Sequence, residues 1–190
     1  MYNDYKTYPC PYFMNMPMYN TCPCSYCFNT PMYNTNQYMP FNDEMEDADL
    51  IELKDYGPKP FVVNINEATK QNNTFRTALW TGEHLQVTLM SINPGEDIGL
   101  EIHPHLDQFL RIEEGQGIVK MGNRKDKLDF QRRVSDDFAI MIPAGTWHNI
   151  INTGDIPLKL YSIYAPPQHP HGTVHKTKAE AEAAEKEHGH

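Results

Sequence analysis

The sequence predicts an all-β domain, a sandwich or jelly roll, on three observations. Beyond Pro58 the apolar residues come in short alternating runs and not in helical stripes. Turn residues interrupt those runs about every eight to twelve positions, the spacing of strands in sandwiches and jelly rolls. The first forty residues contain almost no aliphatic side chains, so they cannot easily order as an independent core, and the core is expected beyond them.

Each element follows from local pattern. A short helix is expected from about Asn66 to Gln71. Leu85, Val87 and Leu89 alternate with Gln86 and Thr88, which predicts a half-buried strand with its leucine and valine face covered. Asn93-Pro94-Gly95 supplies turn residues that end it. Gln108, Leu110 and Ile112 share one face, opposite Phe109, Arg111 and Glu113, so Gln108 is aimed at the interior if its two partners are core. Gly115-Gln116-Gly117 turns the chain into Ile118 to Met121, Ala139 to Ile142 runs into Pro143, and Leu158 to Tyr164 forms another strand. A second helix is predicted near Lys176 to Glu187, where Lys, Ala and Glu favour helix and no core stripe is visible. Lys178 to Glu187 reads as a solvated face.

The expected organisation is an arm and linker over residues 1–48, a barrel over 58–168 and a His/Ala/Glu/Lys-rich tail over 169–190. The first forty residues hold all four cysteines, eight of eleven tyrosines and six of ten methionines, with Asp4 and Lys6 their only charges. Pro17-Met18-Tyr19-Asn20-Thr21 is echoed at Pro31-Met32-Tyr33-Asn34-Thr35. Such composition predicts a disordered arm. Of Cys10, Cys22, Cys24 and Cys27, only Cys24 and Cys27 have a zinc-site spacing, and the second ligand pair of a zinc knuckle is missing. They read as free or cross-linking thiols. The linker carries Asp43, Glu44, Glu46, Asp47, Asp49 and Glu52. A net charge of -9 argues against nucleic acid and anionic membrane surfaces as partners. No apolar run suits a signal peptide or a membrane span, so a soluble, cytoplasmic protein is expected.

The chemistry concentrates in His103-Pro104-His105-Leu106-Asp107-Gln108 and in Pro143-Ala144-Gly145-Thr146-Trp147-His148 with Asn152. Two histidines one residue apart on a strand point the same way, and His148, arriving from a distant turn, would close a three-imidazole face around a divalent metal. Glu101, two residues before His103, shares that face and is a rival carboxylate ligand or an acceptor that orients an imidazole. The alternative is three structural histidines hydrogen-bonded inside a sandwich, with Gln108 a satisfied core amide. His84 reads as a surface residue after a turn, Trp147 as a pocket wall, and His169, His171, His175, His188 and His190 as exposed tail residues. No nucleophile elbow or phosphate loop competes with the metal site.

Gly95, His103, His105, Gln108 and Gly115 resemble the first motif of the cupin superfamily. Asp137, Pro143, Gly145, His148 and Asn152 resemble its second, which normally opens with glycine where Asp137 stands. Gln108 occupies the position of a usual glutamate, after a shortened gap, and Gly95 lies further from His103 than the pattern asks. The resemblance implies a jelly-roll barrel holding one divalent transition metal (Mn, Fe, Zn, Ni or Cu) on His103, His105, Gln108 and His148. It also implies a small oxygen-rich or anionic ligand, with dioxygenase, decarboxylase and isomerase activities all open. Pairing of small cupins implies a homodimer with residues 61–66 near its interface. The arm resembles those of bacterial endospore coat proteins. The competing function is therefore structural, with the barrel as a scaffold and residues 1–48 as the assembly element, possible coat partners and a spore-coat location.

Overall fold

Alternating apolar residues bury one face of a strand, and in this chain strands of that kind close on one another as two facing sheets. The structure, a computed structural model, describes residues 50–187. Among these the elements run α1 (Ile65–Gln71), β1 (Arg76–Thr81), β2 (Gln86–Ile92), β3 (Asp107–Glu114), β4 (Gln116–Gly122) and β5 (Phe130–Ser135). They continue as β6 (Ala139–Ile142), β7 (Trp147–Asn152), β8 (Leu158–Ala165), β9 (Val174–His175) and α2 (Lys178–Glu187). One sheet has the order β6-β3-β8-β2-β1-β9 and the other β5-β4-β7. Every pairing is antiparallel. This is the expected jelly roll. No helix among the described residues is long and apolar enough to cross a membrane.

The inner core joins both sheets through Met90, Ile92, Leu110, Ile112, Val119, Ile140, Ile150, Leu158 and Leu160, each at most 4% exposed. Burying such a side chain contributes about 1.5–3 kcal/mol. Partners in register share a face, so the ladder Ile112↔Leu160↔Met90 lies at the same side of the sheet as Leu110↔Ser162↔Thr88 and Gln108↔Tyr164↔Gln86. The interior is therefore apolar at one end and becomes polar toward Gln86, Gln108 and Tyr164.

That ladder buries the second face of β2 as well, where alternation alone predicts a half-buried strand. Val87 and Leu89 face outward, under a second cluster made with Ala68 and Leu79 and packed against Ile51, Tyr56, Phe61, Val63 and Ile65. Gln86 and Thr88, fully buried, face the barrel interior. Chain before the barrel covers the outer face, so both faces of β2 are enclosed. Phe61, Val63 and Ile65 turn toward this cluster, whereas Val62 between them is 97% exposed.

The C-terminal segment also packs differently from a solvated tail. β9 pairs with β1 through Arg76↔His175 and Thr77↔Val174. α2 buries Ala181 in the inner core beside Phe75, and its Lys178 reaches the carboxylate of Asp97. A single small anchor is why no apolar stripe marked this helix.

Two motif residues hold backbone. Asp137 has φ 69°, the left-handed region that glycine adopts freely and aspartate tolerates better than most. Buried Asn152 donates to the carbonyl oxygens of Ile92 and Ile156, both at 2.8 Å, and accepts from the Gly154 amide at 2.9 Å. Asn152→Ala would remove all three bonds and leave inner carbonyls unpartnered. It is expected to cost about 2–4 kcal/mol in urea unfolding while preserving the β spectrum. A loss below about 0.5 kcal/mol would show that water replaces the amide.

Candidate metal centre

The centre is built by a short run of chain laid along β7. Asp97 pairs with Ile151, the Ile98 amide donates to the Ile150 carbonyl at 3.1 Å, and Glu101 and His148 exchange both backbone hydrogen bonds at 3.0 Å. Residues that exchange both bonds stand directly opposite with side chains on one face. Glu101 and His148 are thereby neighbours, and His103, two positions further on, joins them. The Gly145 amide, in a turn where Gly145 has φ 75°, donates to the His103 carbonyl at 2.9 Å and fastens the two motifs together. Asp107 accepts from the Ala144 amide at 2.9 Å and ties the same turn to β3.

The donor atoms of Glu101, His103 and His148 lie within 4.8 Å of one another. Oε1 of Glu101 is 3.2 Å from Nε2 of His148 and 3.6 Å from Nε2 of His103. His148 is fully buried and His103 is 7% exposed. Nδ1 of His148 lies 2.9 Å from the Thr146 carbonyl oxygen, which can only accept, so Nδ1 carries the proton. In a neutral ring Nε2 then presents a lone pair to a carboxylate oxygen. That arrangement is favourable only with a cation between them or with a second proton on the ring. Nε2 of His103 is buried without a hydrogen-bond partner among the described residues. Two imidazole nitrogens and a carboxylate oxygen converging in this way fit a divalent transition metal.

The residues expected from the sequence separate. His103 and His148 meet, and Glu101 joins them. His105 sits on an exposed turn outside this group, because the chain turns at Pro104 and His105 and strand alternation stops before reaching it. Gln108 does enter the interior on β3, 3% exposed. Its Nε2 donates to Ser162 Oγ at 2.9 Å, and its Oε1 is unpartnered among the described residues. Burial alone would push the Glu101 carboxyl up, but the adjoining His103 and His148 rings and the charge of Arg76 hold it well below the usual range.

A cavity of about 1020 Å³ opens onto this group, walled by Glu101, His103, Trp147, His169, His175 and Glu185 among others. Tyr164, fully buried, stands edge-on to both His103 and His169, with ring centroids 5.6 and 5.1 Å apart. Burial, first among several causes, pushes its phenol up. His169, expected in an exposed tail, is instead held at the cavity by Gln86, whose Oε1 accepts from the Gln168 and His169 amides and whose Nε2 donates to the His169 carbonyl. His84 is exposed and Trp147 is a cavity wall, as expected. His171 is exposed, and His188, His190 and the four cysteines lie outside the described residues. Sequence reasoning also missed Tyr164 and buried Arg76. Tyr164 was legible as the continuation of the alternation Leu158, Leu160, Ser162; nothing local marked Arg76.

The family model described as Cupin domain matches residues 88–164. YrkC of Bacillus subtilis (strain 168) is 64% identical over 177 residues, covering 93% of this chain and 95% of that protein. The crystal structure of BH2720 from Bacillus halodurans is similar with a TM-score of 0.68 and 75% sequence identity, over 68% of this chain and 98% of that one.

His169 gives the site a pH signature. Burial, followed by the charge of Arg76, lowers its imidazole from 6.5 to about 3. Above 6.5 both folded and unfolded chains keep it neutral. As pH falls from 6.5 toward 3 the unfolded chain takes a proton that the folded one refuses, so stability is lost in that window. His169→Gln is expected to flatten the fall in urea midpoint between pH 7 and pH 5. An unchanged slope would mean that the ring is not kept neutral by the fold.

Proposed function

This chain belongs to the cupin superfamily, and from that premise we propose that it binds one divalent transition metal and a small oxygen-rich or anionic ligand beside it. The observation that carries the proposal is the meeting of Glu101, His103 and His148, with Nε2 of His148 facing the carboxylate, beside a cavity that Glu101 and His103 wall. Glu101, His103 and His148 would hold the ion. Bound there, it would supply Lewis-acid activation of a ligand oxygen or of water.

The chain's own residues set the conditions around that centre. The Thr146 carbonyl fixes the tautomer and the ring orientation of His148, the part that an outer partner plays in metal sites. Two neutral imidazoles and one carboxylate would leave a dication one net positive charge, which suits an anionic ligand. Gln108 Oε1 and Tyr164 Oη are buried and without partners among the described residues. Trp147 limits the mouth, with Lys125 5.5 Å above its ring. Glu101, His103 and His148 would hold the ion beside the cavity, where dioxygenase, decarboxylase or isomerase chemistry would draw on its Lewis acidity.

Titration of the full chain with zinc, read by calorimetry, tests this. Wild type is expected to bind one equivalent. His103→Ala, His148→Ala and Glu101→Ala should each weaken binding by more than the roughly 10–100-fold that loss of an outer partner costs, while keeping the β spectrum. Gln108→Ala should cost less, and His105→Ala should leave the stoichiometry intact. Loss of the metal on replacing His105, with binding retained in Glu101→Ala, would restore the ligand set His103, His105, Gln108 and His148 and refute the set Glu101, His103 and His148.

A further inference from the structure

Arg76 is a cation buried in the barrel without an adequate partner. It opens β1 and is 1% exposed. Its inward direction follows from register: Thr77 pairs with Leu89 of the outer cluster, so Arg76 and Ala78 lie on the opposite face, that of Thr88 and the interior. Nε and Nη1 have no hydrogen-bond partner among the described residues. The nearest carboxylate, Oε1 of Glu185, stands 3.5 Å from Nη1, beyond a good charge-assisted hydrogen bond. Leaving buried guanidinium donors unmatched costs several kcal/mol by general experience with buried charges. A fold retains such a group most readily when something else completes it.

The surroundings indicate what would complete it. Glu101, Tyr164, His169 and His175 all feel the charge of Arg76, and all but Tyr164 wall the large cavity. Of the unpartnered buried atoms, His169 Nε2 and His175 Nδ1 belong to residues that wall the cavity, and Tyr164 Oη belongs to a ring edge-on to His103. The cavity thus has a metal-ligand group at one side and Glu185 at another, with the Arg76 guanidinium behind Glu185. Glu185 lines that cavity and also a void of about 150 Å³ under α2, so it has space into which to withdraw. Its side chain is 48% exposed, so moving it uncovers no core.

On the reading of the cavity proposed above, we infer that Arg76 is the anion subsite of this cupin and that it takes the carboxylate of a small organic acid whose other oxygen group reaches the metal. Glu185 of α2 stands in for that carboxylate and is displaced by it. A carboxylate is favoured over a phosphate because the stand-in is itself a carboxylate, matched to the planar guanidinium fork. α2 thus supplies a competing group, and removing that competition raises the apparent affinity.

The test uses the full chain and malonate, a two-carboxylate ligand, by calorimetry, with zinc titrated first into each protein. Glu185→Gln, a change on a half-exposed helix position, should bind malonate at least about threefold more tightly than wild type, because a neutral amide competes poorly for the guanidinium. Arg76→Lys, which keeps the charge and loses the fork, should bind it at least about tenfold more weakly. Zinc affinity should stay within about threefold in both, since neither residue is a metal ligand. Malonate affinity that is unchanged in both variants would overturn the subsite, and so would absence of malonate binding in both wild type and Glu185→Gln. If Arg76→Lys does not fold, Glu185→Gln decides alone. Inorganic phosphate that gains from Glu185→Gln while malonate does not would overturn the carboxylate assignment. Malonate binding that follows Arg76 and Glu185 in a chain that takes up no zinc would support the subsite while refuting the metal.

Discussion

The carbonyl oxygen of Thr146 sits 2.9 Å from Nδ1 of His148, and the state of the whole centre follows from the proton this places on that nitrogen. With Nδ1 donating, Nε2 of a neutral ring is an acceptor, and it faces another acceptor, Glu101 Oε1, at 3.2 Å. The backbone offers no relief, because Glu101 and His148 are locked opposite one another by a pair of hydrogen bonds. That pairing holds the two residues directly opposite one another, with their side chains starting on one face. A cation between them turns the repulsion into attraction, and His103, with its own unpartnered Nε2, is placed to share it. The turn that supplies the Thr146 carbonyl is the one whose Gly145 amide holds the His103 carbonyl, so one turn positions both imidazoles.

This centre sits where it does because of register. The ladders that set Ile112 against Leu160 and Met90 also set Gln108 against Tyr164 and Gln86, so the same antiparallel pairing makes an apolar end and a polar end. The apolar end carries the folding energy. The polar end, relieved of that task, accepts buried groups whose desolvation would otherwise be unfavourable. Some of these are satisfied within the fold, such as Gln86 gripping the backbone at His169 and Asn152 holding Ile92 and Ile156. Others are left open to a ligand. The division between satisfied and unsatisfied groups separates scaffold from site in this molecule.

The fold was legible because its signals are local: alternation, turn residues and a motif of fixed spacing. Leu110 and Ile112 set the phase of β3 correctly because only one face of their strand is apolar. β2 is buried on both faces and not half-buried because its apolar face packs under Phe61, Val63 and Ile65, a contact that no window around Leu89 contains. Glu101 could be named as a rival ligand from its position two residues before His103. The turn at Pro104 and His105, which takes His105 off that face, could have been suspected from the proline, which favours turns over continuing a strand. His169 and Arg76 were opaque for a different reason. Their burial depends on chain that folds back from far along the sequence, α2 and β9 onto β1, and single charged or polar residues carry no periodicity to reveal it.

The central claim is that a metal ion belongs between Glu101, His103 and His148. Crystals of the full chain grown with cobalt, measured for anomalous scattering at the metal edge, test it most directly. One strong peak is expected about 2.0–2.3 Å from Nε2 of both histidines and from a Glu101 oxygen, the range of transition-metal bonds to nitrogen and oxygen. A peak held instead by His105 or by tail histidines, with Glu101, His103 and His148 arranged as they are in its absence, would contradict the account.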